Sequence, residues 1–291
     1  MKRIVVTGAS GFIGTRLCDV LRQSGYQVAT VGRGPSATFR WDYTSNAPPE
    51  AFESAEAVVH LAGEPVVQRW SAQVKQRIHD SRVRSTERLI QALSITRDRP
   101  KVLVCASAVG YYGNSKDHPL PETAGPGKGF LADLCREWEA KADLAESLGM
   151  RVVKIRTGIV LGENGGALKQ MLPAFKAGVG GRLAGGTQWM PWIHLDDIVG
   201  IFQHAIANPV NGPLNGAAPG IVTNRDFTAK LAAALHRPAF LPVPKFALSL
   251  LFGEMGEVML DSQRVIPTAT IESGYRFRYP DLPSALASLK L

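Results

Sequence analysis

The apolar residues of this chain fall into two rhythms. Short, largely apolar runs occupy residues 3–7, 27–32, 57–61, 101–105 and 151–156, with a weaker one at 38–41. Between them, apolar side chains return every three or four positions: from Phe12 to about Ser24, from about Ser71 to Ser94, and over 129–148. A run that is apolar on both alternating faces predicts a strand covered on both sides, whereas the longer period predicts amphipathic helices. Gly25 stops the first helix, because glycine closes a helical C-terminus without strain. Strands that alternate with helices predict a doubly wound α/β fold, a parallel sheet with helices on both faces and right-handed crossovers. Beyond about residue 157 the alternation breaks into Gly/Pro-rich stretches at 162–166, 178–186 and 208–220. The chain is therefore expected to divide into a sheet domain over 1–160, completed by parts of 190–235, and a mixed substrate-side region over 161–244. A small C-terminal cap is expected over 245–291. In that cap Ala247, Leu250, Leu251, Met255 and Val258 keep a helical spacing that Gly253 and Gly256 interrupt.

Residues 7–14 read Thr-Gly-Ala-Ser-Gly-Phe-Ile-Gly, between the first strand and the first helix. In that position glycines have a physical task. Gly8 permits the tight turn, Gly11 lets the backbone approach a diphosphate, and Gly14 lets the helix pack closely on the sheet. The helix N-terminus adds free N–H groups and a partial positive charge. Gly8, Ser10, Gly11, Phe12, Ile13 and Gly14 are therefore expected to bind a dinucleotide. The second strand ends at Gly32-Arg33, with no carboxylate in the sequence until Asp42. An acid at that strand end would hold free ribose hydroxyls and repel a 2′-phosphate. A guanidinium instead forms charge-assisted hydrogen bonds with the phosphate. Gly32 and Arg33 thus predict NADP rather than NAD.

Composition narrows the class without changing this picture. The 291 residues are 45% hydrophobic and 20% charged, ordinary for a globular protein with a large core. The net charge is +8, but the basic residues are dispersed, which argues against a nucleic-acid partner. No stretch approaches the roughly 20 apolar residues of a membrane span, so no membrane partner is expected. Cys18, Cys105 and Cys135 form no CxxC pair or Cys/His cluster, so neither a metal site nor a disulfide framework is expected. With a strand starting at residue 3, a cytoplasmic protein acting on a small molecule is the expectation.

At this point the chain resembles the extended short-chain dehydrogenases and sugar-nucleotide epimerases. The match rests on Thr7 to Gly14 and on His60-Leu61-Ala62-Gly63. More narrowly it resembles an epimerase-like subgroup that carries its own small C-terminal domain. That likeness rests on Leu61-Ala62-Gly63-Glu64, Ser81-Arg82, Ser107-Ala108-Val109-Gly110-Tyr111-Tyr112-Gly113, Trp138-Glu139 and Arg156-Thr157-Gly158-Ile159-Val160-Leu161-Gly162. Pro191-Trp192-Ile193-His194, Asn215-Gly216-Ala217-Ala218-Pro219 and Val265-Ile266-Pro267 continue it. The resemblance implies NADP binding. It also implies that Leu61, Ala62 and Gly63 lie against the cofactor, that Arg82 is a further contact, and that Ile159 and Val160 border the nicotinamide. His194-Leu195-Asp196-Asp197 is implied to be a strand-to-helix junction capped by an aspartate rather than a metal cluster.

One feature of the wider family is missing. Its Tyr-x-x-x-Lys pair lies on the helix after the fifth strand, where Leu131 and Cys135 align here. A literal Tyr112–Lys116 pair sits in a Gly/Asn/Ser turn and reads as coincidence. Ser107 matches the serine that hydrogen-bonds a substrate carbonyl, and Tyr111 or Tyr112 follows it directly. These three are the catalytic candidates of an oxidoreductase acting on a small carbonyl or alcohol. The alternatives are an NADP(H)-binding sensor without turnover, or a sugar-nucleotide epimerase.

Overall fold

A computed structural model describes residues 1–163 and 165–291. Seven parallel strands form the central sheet: β1 (Arg3–Thr7), β2 (Gln27–Gly32), β3 (Phe39–Arg40), β4 (Ala57–His60), β5 (Val102–Ala108), β6 (Arg151–Thr157) and β7 (Gly212–Gly216). Their spatial order is β7-β6-β5-β4-β1-β2-β3. The order reverses between β1 and β4, which opens a crevice at the carboxyl ends of these strands. Side chains alternate across the sheet. Val5, Val58, Leu103 and Val152 face α3 (Val83–Ile95) and α4 (Phe130–Asp143) in one apolar layer. Ile4, Val6, Val59, Val104 and Ile155 face α1 (Phe12–Gln23) and α6 (Leu195–Ala207) in the other.

The structure departs from the sequence reading in two places that matter for the site. The expected irregular stretch 208–220 contains β7, whose Gly-Pro-Leu-Asn-Gly sequence carries one large apolar side chain. Its strand character comes from pairing with β6, Asn215 opposite Arg156, and not from an apolar pattern. The single long helix expected over Ser71–Ser94 is two: α2 (Ala72–Asp80) and α3. Ser81 and Ser85 cause the break by bonding the backbone with their side chains. The Ser81 hydroxyl donates to the Ile78 carbonyl at 2.9 Å and accepts from the Glu64 N–H at 3.0 Å; Ser85 donates to the Ser81 carbonyl at 2.7 Å.

A second, smaller core lies beside the sheet. Here α5 (Gly166–Lys176), α7 (Asn224–Ala234) and α10 (Leu282–Ala287) enclose Leu168, Phe175, Trp192, Phe227, Leu231 and Leu286. Residues from 245 onward are distributed over the molecule. Met255, in α9 (Glu254–Val258), joins the first sheet layer, Val265 joins Val109, Tyr112 and Leu120, and Leu282 and Leu286 join the small core. Among the described residues no helix is long and apolar enough to cross a membrane.

A candidate dinucleotide cleft

The crevice is lined first by the turn after β1. Gly8 has φ +67, and a Cβ there would lie 2.7 Å from the Leu61 carbonyl carbon, so only glycine lets β1 turn this close to β4. At Gly14 a Cβ would run into the Gly8 carbonyl oxygen, so the start of α1 sits directly on the turn. Gly11 caps α1 without any side-chain hydrogen bond, and no acid stands in the first turn. The donors at this helix end are therefore left for an anion. Ser10 and Gly11 are exposed, while Phe12 and Ile13 are half-buried. The Phe12 ring packs against Gly162, Gly165 and Gly166, where any side chain would collide with it. This contact ties the glycine turn to Gly162, Gly165 and Gly166.

A buried chain of hydrogen bonds fixes the end of β4. The Thr7 hydroxyl oxygen accepts from the N–H groups of Leu61 (3.2 Å) and Ala62 (3.3 Å), so its own proton goes to His60 Nδ1 at 2.7 Å. His60 must then carry its proton on Nε2, which donates to Ser85 Oγ at 3.2 Å. Burial pushes the pKa of this imidazole down to about 4, with the nearby Arg82 adding to the effect. His60 is thus a packed, neutral histidine of the sheet core. It makes Leu61, Ala62 and Gly63 a rigid shelf beside the glycine turn.

Two arginines reach this shelf. Arg82 stands at the break between α2 and α3. Its Nη2 donates to the Glu64 carbonyl at 3.0 Å, and its guanidinium lies 5.3 Å from the Trp138 ring centroid. A Cβ on Gly63 would meet its Cζ at 3.0 Å, so the guanidinium lies flat beneath the shelf. Arg33 is largely exposed, and its Nη1 is 3.5 Å from Glu64 Oε1. The sequence holds no carboxylate close to Arg33; the fold supplies Glu64, 31 positions away. Gly32 has open space where a side chain would be.

At the ends of β5 and β6 the catalytic candidates are drawn into a buried network. Ser107 donates to Glu139 Oε1 at 2.6 Å. Glu139 also takes a two-pronged ion pair from Arg156, Nε and Nη2 each at 2.9 Å. Arg156 Nη1 donates to the Tyr112 hydroxyl at 3.0 Å, and that hydroxyl donates to Asn215 Oδ1 at 2.7 Å. Tyr112 is 2% exposed, and burial pushes its pKa up to about 12. The expectation that either tyrosine could present its hydroxyl to a ligand thus narrows to Tyr111. Tyr112 points inward and is committed, and the proton of Ser107 is committed to Glu139. Tyr111 is half-buried, its ring centroid 3.6 Å from the Arg156 guanidinium, and its hydroxyl has no hydrogen bond among the described residues. Lys116 is exposed in a turn with φ +55. On α4, Leu131 packs against Gly110, and Cys135 is buried with its thiol pKa raised to about 12 by desolvation. Ile159 is half-buried and Val160 buried, in the strand that follows β6.

Three further carboxylates, Glu139, Glu122 and Asp197, frame the site. Glu139 lies two helical turns beyond Leu131 and one beyond Cys135, a spacing that was legible. Glu122, from a loop, accepts from the backbone N–H groups of Asn215, Ala269 and Thr270 at 2.9–3.1 Å, which no local pattern signals. Asp197 accepts from the Arg278 and Tyr279 N–H groups. The cap of α6 is also corrected: His194 Nδ1, not an aspartate, accepts from the Asp196 N–H at 3.0 Å. Asp197 faces inward and is spent on the C-terminal segment. Among the described residues no group of three or more His, Cys, Asp or Glu is placed to hold a metal ion.

The sequence profile of the NAD dependent epimerase/dehydratase family matches residues 4–218, and that of a domain of unknown function matches residues 243–289. An Arabidopsis thaliana chloroplastic homologue of the epimerase family protein SDR39U1 is 40% identical over 98% of this chain and 86% of its own. The human epimerase family protein SDR39U1 is 37% identical over 99% of both chains. A crystal structure of that human protein (isoform 2) with NADPH superposes with a TM-score of 0.90 at 36% identity, covering 99% of this chain and 98% of the other. UDP-glucose 4-epimerase from Thermus thermophilus, in complex with NAD, shares the fold at 20% identity, over 98% of this chain and 96% of its own, with a TM-score of 0.78.

Proposed function

The chain belongs to the NAD dependent epimerase/dehydratase family, and from that premise we propose that it is an NADP(H)-binding oxidoreductase of the extended short-chain dehydrogenase type. Its substrate is a small carbonyl or alcohol. The observation that carries this reading is the uncapped start of α1 on the glycine turn, with Arg33 at the end of β2. The diphosphate fits the free N–H groups at Phe12 and Ile13, beside Ser10 and Gly11. The exposed Arg33–Glu64 contact is long and weak, so the guanidinium is free to turn to a 2′-phosphate. The shelf of Leu61, Ala62 and Gly63 carries the rest of the dinucleotide, with Arg82 below it and Ile159 and Val160 at the nicotinamide end. The human relative's crystallisation with NADPH supports the same cofactor.

The bound nicotinamide supplies or accepts hydride; what the protein adds is position and a proton. With Leu131 and Cys135 aligned where the wider family carries tyrosine and lysine, those two positions of α4 offer neither. Tyr111 is the proposed proton donor, because the Arg156 cation against its ring favours charge developing on the phenol oxygen. Ser107 holds Glu139, and Glu139 holds Arg156, so these two position Tyr111. A second reading, an NADP(H)-binding sensor without turnover, is favoured by one observation: the protons of Ser107 and Tyr112 are both committed inside the protein. The epimerase reading depends on the same tyrosine that α4 lacks, and ranks below both.

Calorimetry with NADPH and NADH tests the cofactor. NADPH is expected to bind at least about tenfold more tightly, and Arg33→Ala to erase most of that preference, since one charge-assisted contact contributes roughly 1.5–3 kcal/mol. Equal affinities would sink the reading. Turnover is then measured with reactive carbonyls and quinones for Ser107→Ala, Tyr111→Phe and Tyr112→Phe. Tyr111→Phe is expected to keep NADPH binding and lose about 10²–10⁴-fold in rate. Tight NADPH binding with no turnover in the unaltered protein would move it to the sensor class.

A further inference from the structure

One stretch of this surface is unlike the rest. Residues 238–252 read Pro-Ala-Phe-Leu-Pro-Val-Pro-Lys-Phe-Ala-Leu-Ser-Leu-Leu-Phe, with a single charge in fifteen residues. Such a run belongs in a core, yet it lies outside. Phe240, Leu241, Phe246, Leu250 and Leu251 are 52–74% exposed. In α8 (Lys245–Phe252) Leu248 alone is buried. Pro238, Pro242 and Pro244 cannot donate backbone hydrogen bonds, which keeps the segment extended up to the helix. It is nevertheless held firmly at both ends. The Val243 N–H donates to the Arg182 carbonyl at 2.8 Å, and Arg69 Nη1 donates to the Leu250 carbonyl at 2.7 Å. The apolar face therefore bridges two loops, one on either side, and the second brings Val67, also exposed.

The charge around it is predominantly positive, the exposed Glu254 and Glu257 of the neighbouring α9 excepted. Between Asp226 and Glu254 the chain has no carboxylate, but has Lys230, His236, Arg237 and Lys245. Arg69, Lys176, Arg237 and Lys245 are exposed, and none is in an ion pair among the described residues. Glu254, at the edge, is neutralised by Lys75 at 2.5 Å. Exposed aromatic and aliphatic side chains with a cationic rim suit the boundary between headgroups and acyl chains of an anionic bilayer. A symmetric contact between two copies would set the two cationic rims against each other, so charge disfavours that occupant.

We propose that the 238–252 face, with Arg69, is a docking surface for an anionic lipid membrane. The apolar side chains enter the interface and the basic rim meets the headgroups; no segment spans the bilayer. This stands apart from the cofactor reading, and NADPH binding serves as its control. The test is co-sedimentation with vesicles of phosphatidylcholine, with or without phosphatidylglycerol. The unaltered protein is expected to pellet with the anionic vesicles and to be released by salt. The triple variant Phe246→Ser, Leu250→Ser, Leu251→Ser is expected to pellet at least about tenfold less, as polar side chains remove the apolar area that drives insertion, while keeping its NADPH affinity. The double variant Arg237→Glu, Lys245→Glu keeps the apolar core intact and should lose binding equally. The proposal is overturned if the unaltered protein stays in the supernatant or if both variants pellet as it does. A concentration-dependent dimer that the triple variant abolishes would also overturn it, by assigning the face to a second copy.

Discussion

His60 shows how a single side chain can couple pH to the shape of the site. Its imidazole is fully buried and accepts the Thr7 proton at Nδ1. Protonation would put a second donor against that hydroxyl and a charge into the sheet. Its folded pKa is depressed from 6.5 to about 4, so the sign follows directly. Above the unfolded value neither state is charged and the histidine costs nothing. As pH falls from 6.5 toward 4 the unfolded chain takes up a proton that the folded one refuses, and stability is lost. At roughly 1.4 kcal/mol per pKa unit, unfolding free energy should drop by about 2 kcal/mol between about pH 7 and about pH 5 from this residue. Urea unfolding of the unaltered protein and of His60→Gln over that range checks it. A pH slope no steeper in the former than in the latter would refute it.

At the scale of elements, Asp197, in the first turn of α6, joins a helix to the C-terminal segment. The carboxylate is fully buried and accepts from the Arg278 N–H (2.7 Å), the Tyr279 N–H (2.9 Å) and the Tyr275 hydroxyl (3.0 Å). It thereby fastens an aromatic segment, which has no regular structure of its own, onto a helix that packs on the sheet. Burial, with the Asp197 charge adding to it, holds the Tyr275 hydroxyl in its protonated form. Asp197→Ala would leave two backbone donors unsatisfied at about 1–3 kcal/mol each, while the Tyr275 hydroxyl keeps the Asp197 backbone carbonyl at 3.0 Å. A loss of at least about 2 kcal/mol is expected, or a fall in Tm of at least about 4 °C. Thermal unfolding reads this, and a change of under about 2 °C would show that water replaces the carboxylate. The α2–α3 break belongs to the same scale: apolar spacing continues across Ser81 and Arg82, so periodicity alone predicts one helix. The hydroxyl partner that stops it, the Glu64 N–H, comes from another loop.

Taken whole, the molecule is one sheet domain and a small side core bound together by the chain's last segment. Met255, Val265, Leu282 and Leu286 are each buried, in three different apolar clusters. Burying side chains of this size contributes about 1.5–3 kcal/mol each, against a typical margin of about 5–15 kcal/mol. Removal of residues 245–291 should therefore leave a protein without cooperative unfolding, and with apolar surface exposed to dye binding. A soluble truncation that melts in a single sharp transition would show that the segment is dispensable to the core.

The sequence by itself determined six of the seven sheet strands, the glycine turn and the cofactor class. Buried strands need a run of apolar residues, and a diphosphate cradle needs glycines next to a helix start; both are local demands written in consecutive residues. It also placed Leu131 and Cys135 on one face of a helix, because residues four apart are neighbours there. Only the tertiary structure decided what the polar residues do. Arg33 meets Glu64, Ser107 meets Glu139, and Tyr112 meets Arg156 and Asn215, across separations of 31 to 103 positions. A hydroxyl or carboxylate has the same one-letter code whether its hydrogen bonds end in water, a ligand or a neighbour. Which of these it meets depends on how strands far apart in the chain stack, and that is why Tyr112 looked as available as Tyr111 until the fold turned it inward.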